Sequence, residues 1–313
     1  GRSNLRARAA VGGYNLVDIL SDSILFTERR PGTEFLKTWT AVKTGTREYD
    51  TAKQFARPSY AINSQYPSVK KIWEYSSEAN IISTPVVANG FVIAGNQNGV
   101  IAALSVKDGS MAWSYQADGS IFSSPAAANG KVVMGSANGS VYCFNSRTGQ
   151  LVWKQQTGAP VLGSPLITGN FLYIGGSKAF FGLELKNGKK RWSFNDLKGP
   201  VVSTPVYYNS RIIFGAWDTY LYSLNSSNGE LVWKWNNGSR VRNYSPAACI
   251  PVVLPGVVYV VAPDRYISAI EFETGKTLWR NNDATVRESI GYSKDGKWIY
   301  RKTMQDSIVA YRA

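Results

Sequence analysis

Six of the ten tryptophans, Trp73, Trp113, Trp153, Trp192, Trp233 and Trp279, stand 40, 40, 39, 41 and 46 residues apart. A fixed period near 40 residues marks one supersecondary unit copied along the chain. The period points to a binding platform more than to a compact catalytic domain. Within each unit the same punctuation returns. Unit one runs through Thr84-Pro85, Asn89-Gly90, Asn98-Gly99 and Asp108-Gly109 to Trp113; unit two through Ser124-Pro125, Asn129-Gly130, Asn138-Gly139 and Thr148-Gly149 to Trp153. Ser164-Pro165, Thr204-Pro205 and Ser245-Pro246 open the next three. Asn187-Gly188, Asn228-Gly229 and Thr274-Gly275 precede their tryptophans. The sixth unit is degraded but keeps Ser289-Ile290-Gly291, Trp298-Ile299-Tyr300 and Ile308-Val309-Ala310-Tyr311.

Between these marks lie four short β-branched and aromatic runs per unit. Asn-Gly and Asp-Gly between apolar runs signal hairpins, because tight turns need positive φ. Four antiparallel strands in about 40 residues make one propeller blade. No sustained helical period exists, which excludes α-solenoid repeats. The expected fold is all-β, a β-propeller of six four-stranded blades. The sixth unit stops after its third strand, while a lone fourth strand (69–75) precedes unit one. Pairing the two would close the ring without an exposed sheet edge. Seven blades is the alternative if the first 60 residues form another. The repeated tryptophan reads as a wedge between blades: burying ~150–250 Å² of indole at ~25 cal/mol per Å² gives roughly 4–6 kcal/mol, an upper bound.

These units resemble pyrroloquinoline-quinone-type propeller repeats, on the Ser/Thr-Pro start, the Val-Tyr-x-Leu-like third strand and the Thr-Gly-x-x-x-Trp close, over residues 69–313. The resemblance implies the fold and leaves function open. Such repeats occur in quinone-dependent dehydrogenases, in the propeller lipoprotein of the outer-membrane β-barrel assembly machinery, and as accessory domains. The first 45 residues fall outside the repeat. Residues 10–29 read as a hairpin that Arg30-Pro31-Gly32 breaks. That segment is similar to the tail of a calcineurin-like metallophosphoesterase, which implies a catalytic core upstream. Residues 46–68 read as a linker.

The chain has 313 residues and no histidine. A Ser-His-Asp or Cys-His nucleophile lacks its imidazole base, and most catalytic zinc and two-metal sites lack their usual ligand. Alone, the chain is expected to be inert, with no catalytic residue, cofactor or metal. Cys143 and Cys249 fall in blades two and five and read as buried thiols, too far apart to bridge. No run of 18 apolar residues exists to span a membrane. The net charge of +14 is spread over all units and suits solubility or weak anion attraction better than specific nucleic-acid binding.

Equivalent positions across units locate an oddity. Before the Ser/Thr-Pro pair, units one to four carry apolar pairs such as Ile121-Phe122. Unit five instead reads Arg240-Val241-Arg242-Asn243-Tyr244, and unit six carries Arg287-Glu288. The loops between second and third strands diverge likewise, from Asn98-Gly99 to Lys178, Trp217-Asp218 and Asp264-Arg265. Propeller geometry puts both loop sets on one face. Arginines flanked by aromatics suit carboxylate, phosphate or peptide recognition. The competing reading is inter-blade salt bridges, Arg242 with Glu288 or Arg287 with Asp264. The function expected is a non-catalytic, monomeric binding or scaffold module of the bacterial envelope, periplasmic or cell-surface. It would take a protein or anionic ligand on one face and serve as accessory domain to a metallophosphoesterase-like protein. The alternatives are an envelope assembly scaffold, a quinone-dependent dehydrogenase and, with paired Glu288 and Asp264, a polysaccharide-acting enzyme.

Overall fold

The computed structural model describes residues 14–21, 23–29, 36–43, 65, 70–283, 286–303 and 307–313. The chain divides between Lys70 and Lys71 into two compact units. In the first, Tyr14–Ile19 and Ser23–Arg29 form the expected hairpin. A third strand, Leu36–Lys43, pairs with the second. Arg30-Pro31-Gly32 therefore separates two strands of one sheet and does not end the sheet. Most of the expected linker lies outside the described residues.

Among its described residues the second unit holds six consecutive antiparallel sheets, five of four strands and one of three. Blade one, for example, consists of Val86–Ala88, Phe91–Gly95, Val100–Ser105 and Met111–Gln116. Pro85, Pro125, Pro165 and Pro205 each stand immediately before a three-residue innermost strand, where no ladder bond is asked of their nitrogen. Blade five departs from this: Pro246 opens a 3-10 turn, Pro246–Ala248, and its innermost strand starts only at Val252.

Adjacent blades bury apolar faces against each other. Ile93, Ile101 and Ala103 of blade one pack on Val132, Met134, Tyr142 and Phe144 of blade two. Ile213 and Leu221 of blade four meet Val258 and Val260 of blade five in the same way. The fourth-strand tryptophan closes each seam. A bulge beside it shifts the ladder in blades one to five. The indole N–H then donates to a carbonyl of the next blade: Trp113 to Ser146, Trp153 to Leu185, Trp192 to Ser226 and Trp233 to Phe272. The ring lies flat on the next blade's turn glycine. An added Cβ on Gly149, Gly188, Gly229 or Gly275 would fall 2.3–2.8 Å from an indole atom, so this close approach tolerates only glycine.

The expected ring-closing ladder is not formed. Among the described residues no ladder joins 69–75 to Ile308–Arg312, and the sixth sheet stops at three strands, Val286–Tyr292, Trp298–Thr303 and Ile308–Arg312. Trp73 nevertheless makes the standard contact with blade one. Its Nε1 donates to Val106 O at 2.9 Å, and its ring lies on Gly109.

Both cysteines are buried thiols, and burial pushes the Cys143 thiol up to about 12. Native protein at pH 8 is therefore expected to give no thiol reaction with Ellman's reagent, and two equivalents after unfolding. Fast reaction of one equivalent in the native state contradicts the seam packing around Cys143.

Candidate functional site

Three segments converge on one face of blades four and five. They are the turn after the second strand of blade four (216–220), the connection entering blade four (196–200), and the connection from blade four to blade five (236–245). Together they line a cleft of about 320 Å³ with Lys198, Asp218, Thr219, Asn236, Arg240 and Arg242 at its walls. Sequence comparison of the units singled out Asp218, Arg240 and Arg242 beforehand. It did not single out Lys198, Thr219, Asn236 or Ser239.

The cleft is held by buried polar groups. Asp218, 7% exposed, accepts the Tyr222 hydroxyl at 2.8 Å and the Lys198 amide at 3.0 Å, both on Oδ2. It thereby ties the two loops together. Burial, then the Asp218 carboxylate beside it, pushes the Tyr222 phenol well above its usual range. Below the arginines, Asn237 donates to Tyr244 O at 2.9 Å and to Asp264 Oδ2 at 2.8 Å. Arg280 pairs with the same Asp264 oxygen at 2.6 Å and donates to Asn237 O at 2.8 Å. Burial pushes the Asp264 carboxyl up, against the pull of the Tyr266 amide, Arg280 and Asn237.

Backbone strain marks the same place. Where blades one and two have Gly99 and Gly139 at positive φ, blades four and five have Thr219 at φ 80 and Arg265 at φ 72. The left-handed region costs a side-chain-bearing residue about 1–2 kcal/mol. Thr219 is held there by its neighbours. Its N–H donates to Ser245 Oγ at 3.0 Å, and Asn236 Nδ2 donates to its O and Oγ1 at 3.0 and 2.8 Å. Thr219→Gly is expected to raise stability by about 1 kcal/mol in denaturant unfolding, less whatever its hydroxyl contributes. A loss above that amount means the hydroxyl contacts outweigh the strain.

The cationic groups themselves are left available. Arg240 and Arg242 are exposed; among the described residues the Arg242 guanidinium makes one hydrogen bond, from Nη2 to Lys198 O at 3.3 Å. Exposed Val241 and Tyr244 flank them, on a 3-10 turn, Arg242–Tyr244, that also carries exposed Asn243. The remaining expected site residues scatter. Trp217 spends its amide on Pro200 O at 2.9 Å beside the cleft. Lys178 and Arg265 are exposed on the loops of blades three and five. Each competing ion pair, Arg242 with Glu288 and Arg287 with Asp264, has one side chain outside the described residues; among the described ones Asp264 pairs with Arg280 of its own blade. The side chains of Arg287 and Glu288 lie outside the described residues.

The described residues do not fit a calcium–quinone centre. The innermost strands of blades one to five read Val-Val-Ala, Ala-Ala-Ala, Leu-Ile-Thr, Val-Tyr-Tyr and Val-Val-Leu, without a carboxylate or amide side chain. Asp218 and Asp264 are taken up by the contacts above. No three His, Cys, Asp or Glu side chains gather among the described residues. No described helix is long and apolar enough to cross a membrane.

Comparison with known proteins places this geometry. The quinoprotein alcohol dehydrogenase PedH of Pseudomonas putida is 30% identical over 150 residues, 43% of this chain and 25% of that protein. The chain thus spans about a quarter of that relative. Among solved structures, BamB from Moraxella catarrhalis superposes with a TM-score of 0.61 at 16% identity, over 97% of this chain and 89% of that one. Quinohemoprotein alcohol dehydrogenase ADHIIG from Pseudomonas putida gives 0.62 at 15% identity, over 74% and 52%. At these identities the structures share the fold. The family model for outer membrane protein assembly factor BamB matches residues 62–125, 118–236 and 186–312. Those matches cover nearly all of the repeat, so the chain belongs to this family of β-propeller proteins.

Proposed function

We propose that this chain is a binding and scaffolding propeller of the bacterial cell envelope that docks an acidic segment of a partner protein on the blade-four and blade-five face. The observation that carries this reading is a pair of exposed arginines, interleaved with exposed Val241 and Tyr244, on a loop braced from beneath by Asn237, Asp264 and Arg280. Guanidinium forks next to apolar and aromatic surface suit carboxylates of an extended peptide, and a braced loop lowers the ordering cost of binding. The proposed setting is a longer envelope protein, with this propeller as accessory domain to a metallophosphoesterase-like part. The family match also supports an assembly scaffold for envelope proteins.

The test is affinity capture from detergent-solubilised bacterial envelope with the wild type and with Arg240→Ala/Arg242→Ala. The double variant is expected to lose about 2–4 kcal/mol of partner affinity, roughly 30- to 700-fold, with its melting temperature unchanged. Undiminished capture overturns the assignment of this face, and a large melting shift makes the arginines structural.

A further inference from the structure

The turns between third and fourth strands lie at the opposite end of the blades from the arginine cleft. Just before each tryptophan the ladder bulges, which leaves Ala112, Val152, Arg191, Val232 and Leu278 without a cross-strand partner. A bulge re-aims its side chains, and here they turn toward solvent. Met111, Leu151, Val152, Leu231, Val232 and Leu278 are 37–51% exposed. Equivalent positions of consecutive sheets stand at one level around the propeller, so these side chains form a broken apolar border and not a cleft.

Blade three interrupts the border with charge. Lys190 and Arg191 occupy the two positions held by Leu151-Val152 in blade two and Leu231-Val232 in blade four, and the same turn adds Lys186 and Lys189. All four cations are exposed, and among the described residues none has an ion-pair partner. The six-residue turn 186–191 holds four cations and no acid, whereas the equivalent turns of blades one, two, four and five are each within one charge of neutral. Blade three is thus a cationic centre between apolar neighbours.

That combination selects the occupant. Exposed apolar side chains beside lysines are the makeup of a surface that adsorbs to lipid: the apolar groups enter the headgroup boundary and the cations meet anionic headgroups. Lysine stems can follow them in while the ammonium stays in water. A nucleic acid would need aromatic rings for its bases, and the Phe171 ring beside this turn is capped by the Arg191 guanidinium, 4.6 Å from its centroid. A second copy of the chain would bring its own net charge of +14 against this one. We infer that the border centred on Lys186, Lys189 and Lys190 adsorbs to an anionic lipid bilayer, with the exposed apolar residues of blades two and four entering the headgroup layer. It is independent of the arginine cleft, which opens at the other end of the same strands and faces away from the lipid.

The test is co-sedimentation of the full chain, at physiological salt, with vesicles of phosphatidylcholine alone or mixed with phosphatidylglycerol. Pelleting is expected only with the mixed vesicles. Lys186→Gln/Lys189→Gln/Lys190→Gln is expected to weaken it roughly 30- to 150-fold with an unchanged melting temperature. Both native cysteines are buried, so an introduced one takes an environment-sensitive dye alone. Dye on Val152→Cys should shift to the blue on the mixed vesicles, and dye on Lys178→Cys, at the opposite end of blade three, should not. Absence of pelleting, binding to duplex DNA without binding to vesicles, pelleting that the triple variant leaves intact, or an unshifted dye at Val152→Cys each overturns the proposal.

Discussion

Trp153→Ala is expected to cost about 3–5 kcal/mol of unfolding free energy, the range for truncating a buried large aromatic. The indole is 8% exposed and lies between blades two and three, against the Gly188 backbone. Its removal empties a seam that Val133, Cys143 and Leu172 line. It also takes the donor from Leu185 O, at 3.0 Å. Trp153→Phe keeps most of the ring and loses the donor, so about 1–3 kcal/mol is expected. Trp279, 36% exposed, occupies the same repeat position in a looser seam, and Trp279→Ala should cost less than half the Trp153→Ala value. Denaturant unfolding of the three variants ranks them. Equal costs for Trp153→Ala and Trp279→Ala would mean that the period records ancestry and not a wedge.

What the sequence discloses follows from which forces are local. The strands and turns within a unit are readable because each Asn-Gly or Thr-Gly turn sits a fixed distance from its tryptophan, and that distance is set by contacts inside one hairpin. The candidate cleft is readable for a related reason: Arg240 to Tyr244 interrupts a position that is apolar in four preceding units. Lys198 was as visible in principle. Asp196-Leu197-Lys198-Gly199 is a charged, altered version of Thr157-Gly158-Ala159 in the preceding unit, and it lies one turn before the positions where the arginines stand out. Other features depend on packing across the fold. The 3-10 turn after Ser245 forms where Ser245 Oγ is claimed by Thr219, a bond between segments 26 residues apart. The third N-terminal strand follows a Pro-Gly pair that reads as a stop, and only its pairing with Ser23–Arg29 shows otherwise. The expected ring-closing ladder is the extreme case: its two segments are separated by more than 230 residues, and among the described residues no ladder joins them.

The cleft proposed for partner binding rests on one carboxylate, and Asp218→Ala is expected to cost about 2–5 kcal/mol. The substitution leaves the Tyr222 hydroxyl and the Lys198 amide without their acceptor, and each buried orphan donor costs about 1–3 kcal/mol. Tyr222→Phe removes the donor together with its need for a partner, so a smaller loss of about 1 kcal/mol is expected. The same bond carries a pH signature. Burial and Asp218 raise the Tyr222 pKa in the native state, while the unfolded chain ionises near pH 10. The contribution is therefore fully present below about pH 10. Above that, the unfolded state sheds a proton that the native state keeps, and stability falls by up to about 1.4 kcal/mol per pH unit. Tyr222→Phe should flatten this part of the alkaline slope, measured by urea unfolding between pH 9 and 11. An unchanged slope would assign the alkaline loss to other buried phenols and leave Asp218 without its Tyr222 anchor. Loss of partner capture in Asp218→Ala at temperatures where it remains folded would then show that loop placement, more than charge alone, makes Arg240 and Arg242 competent to bind.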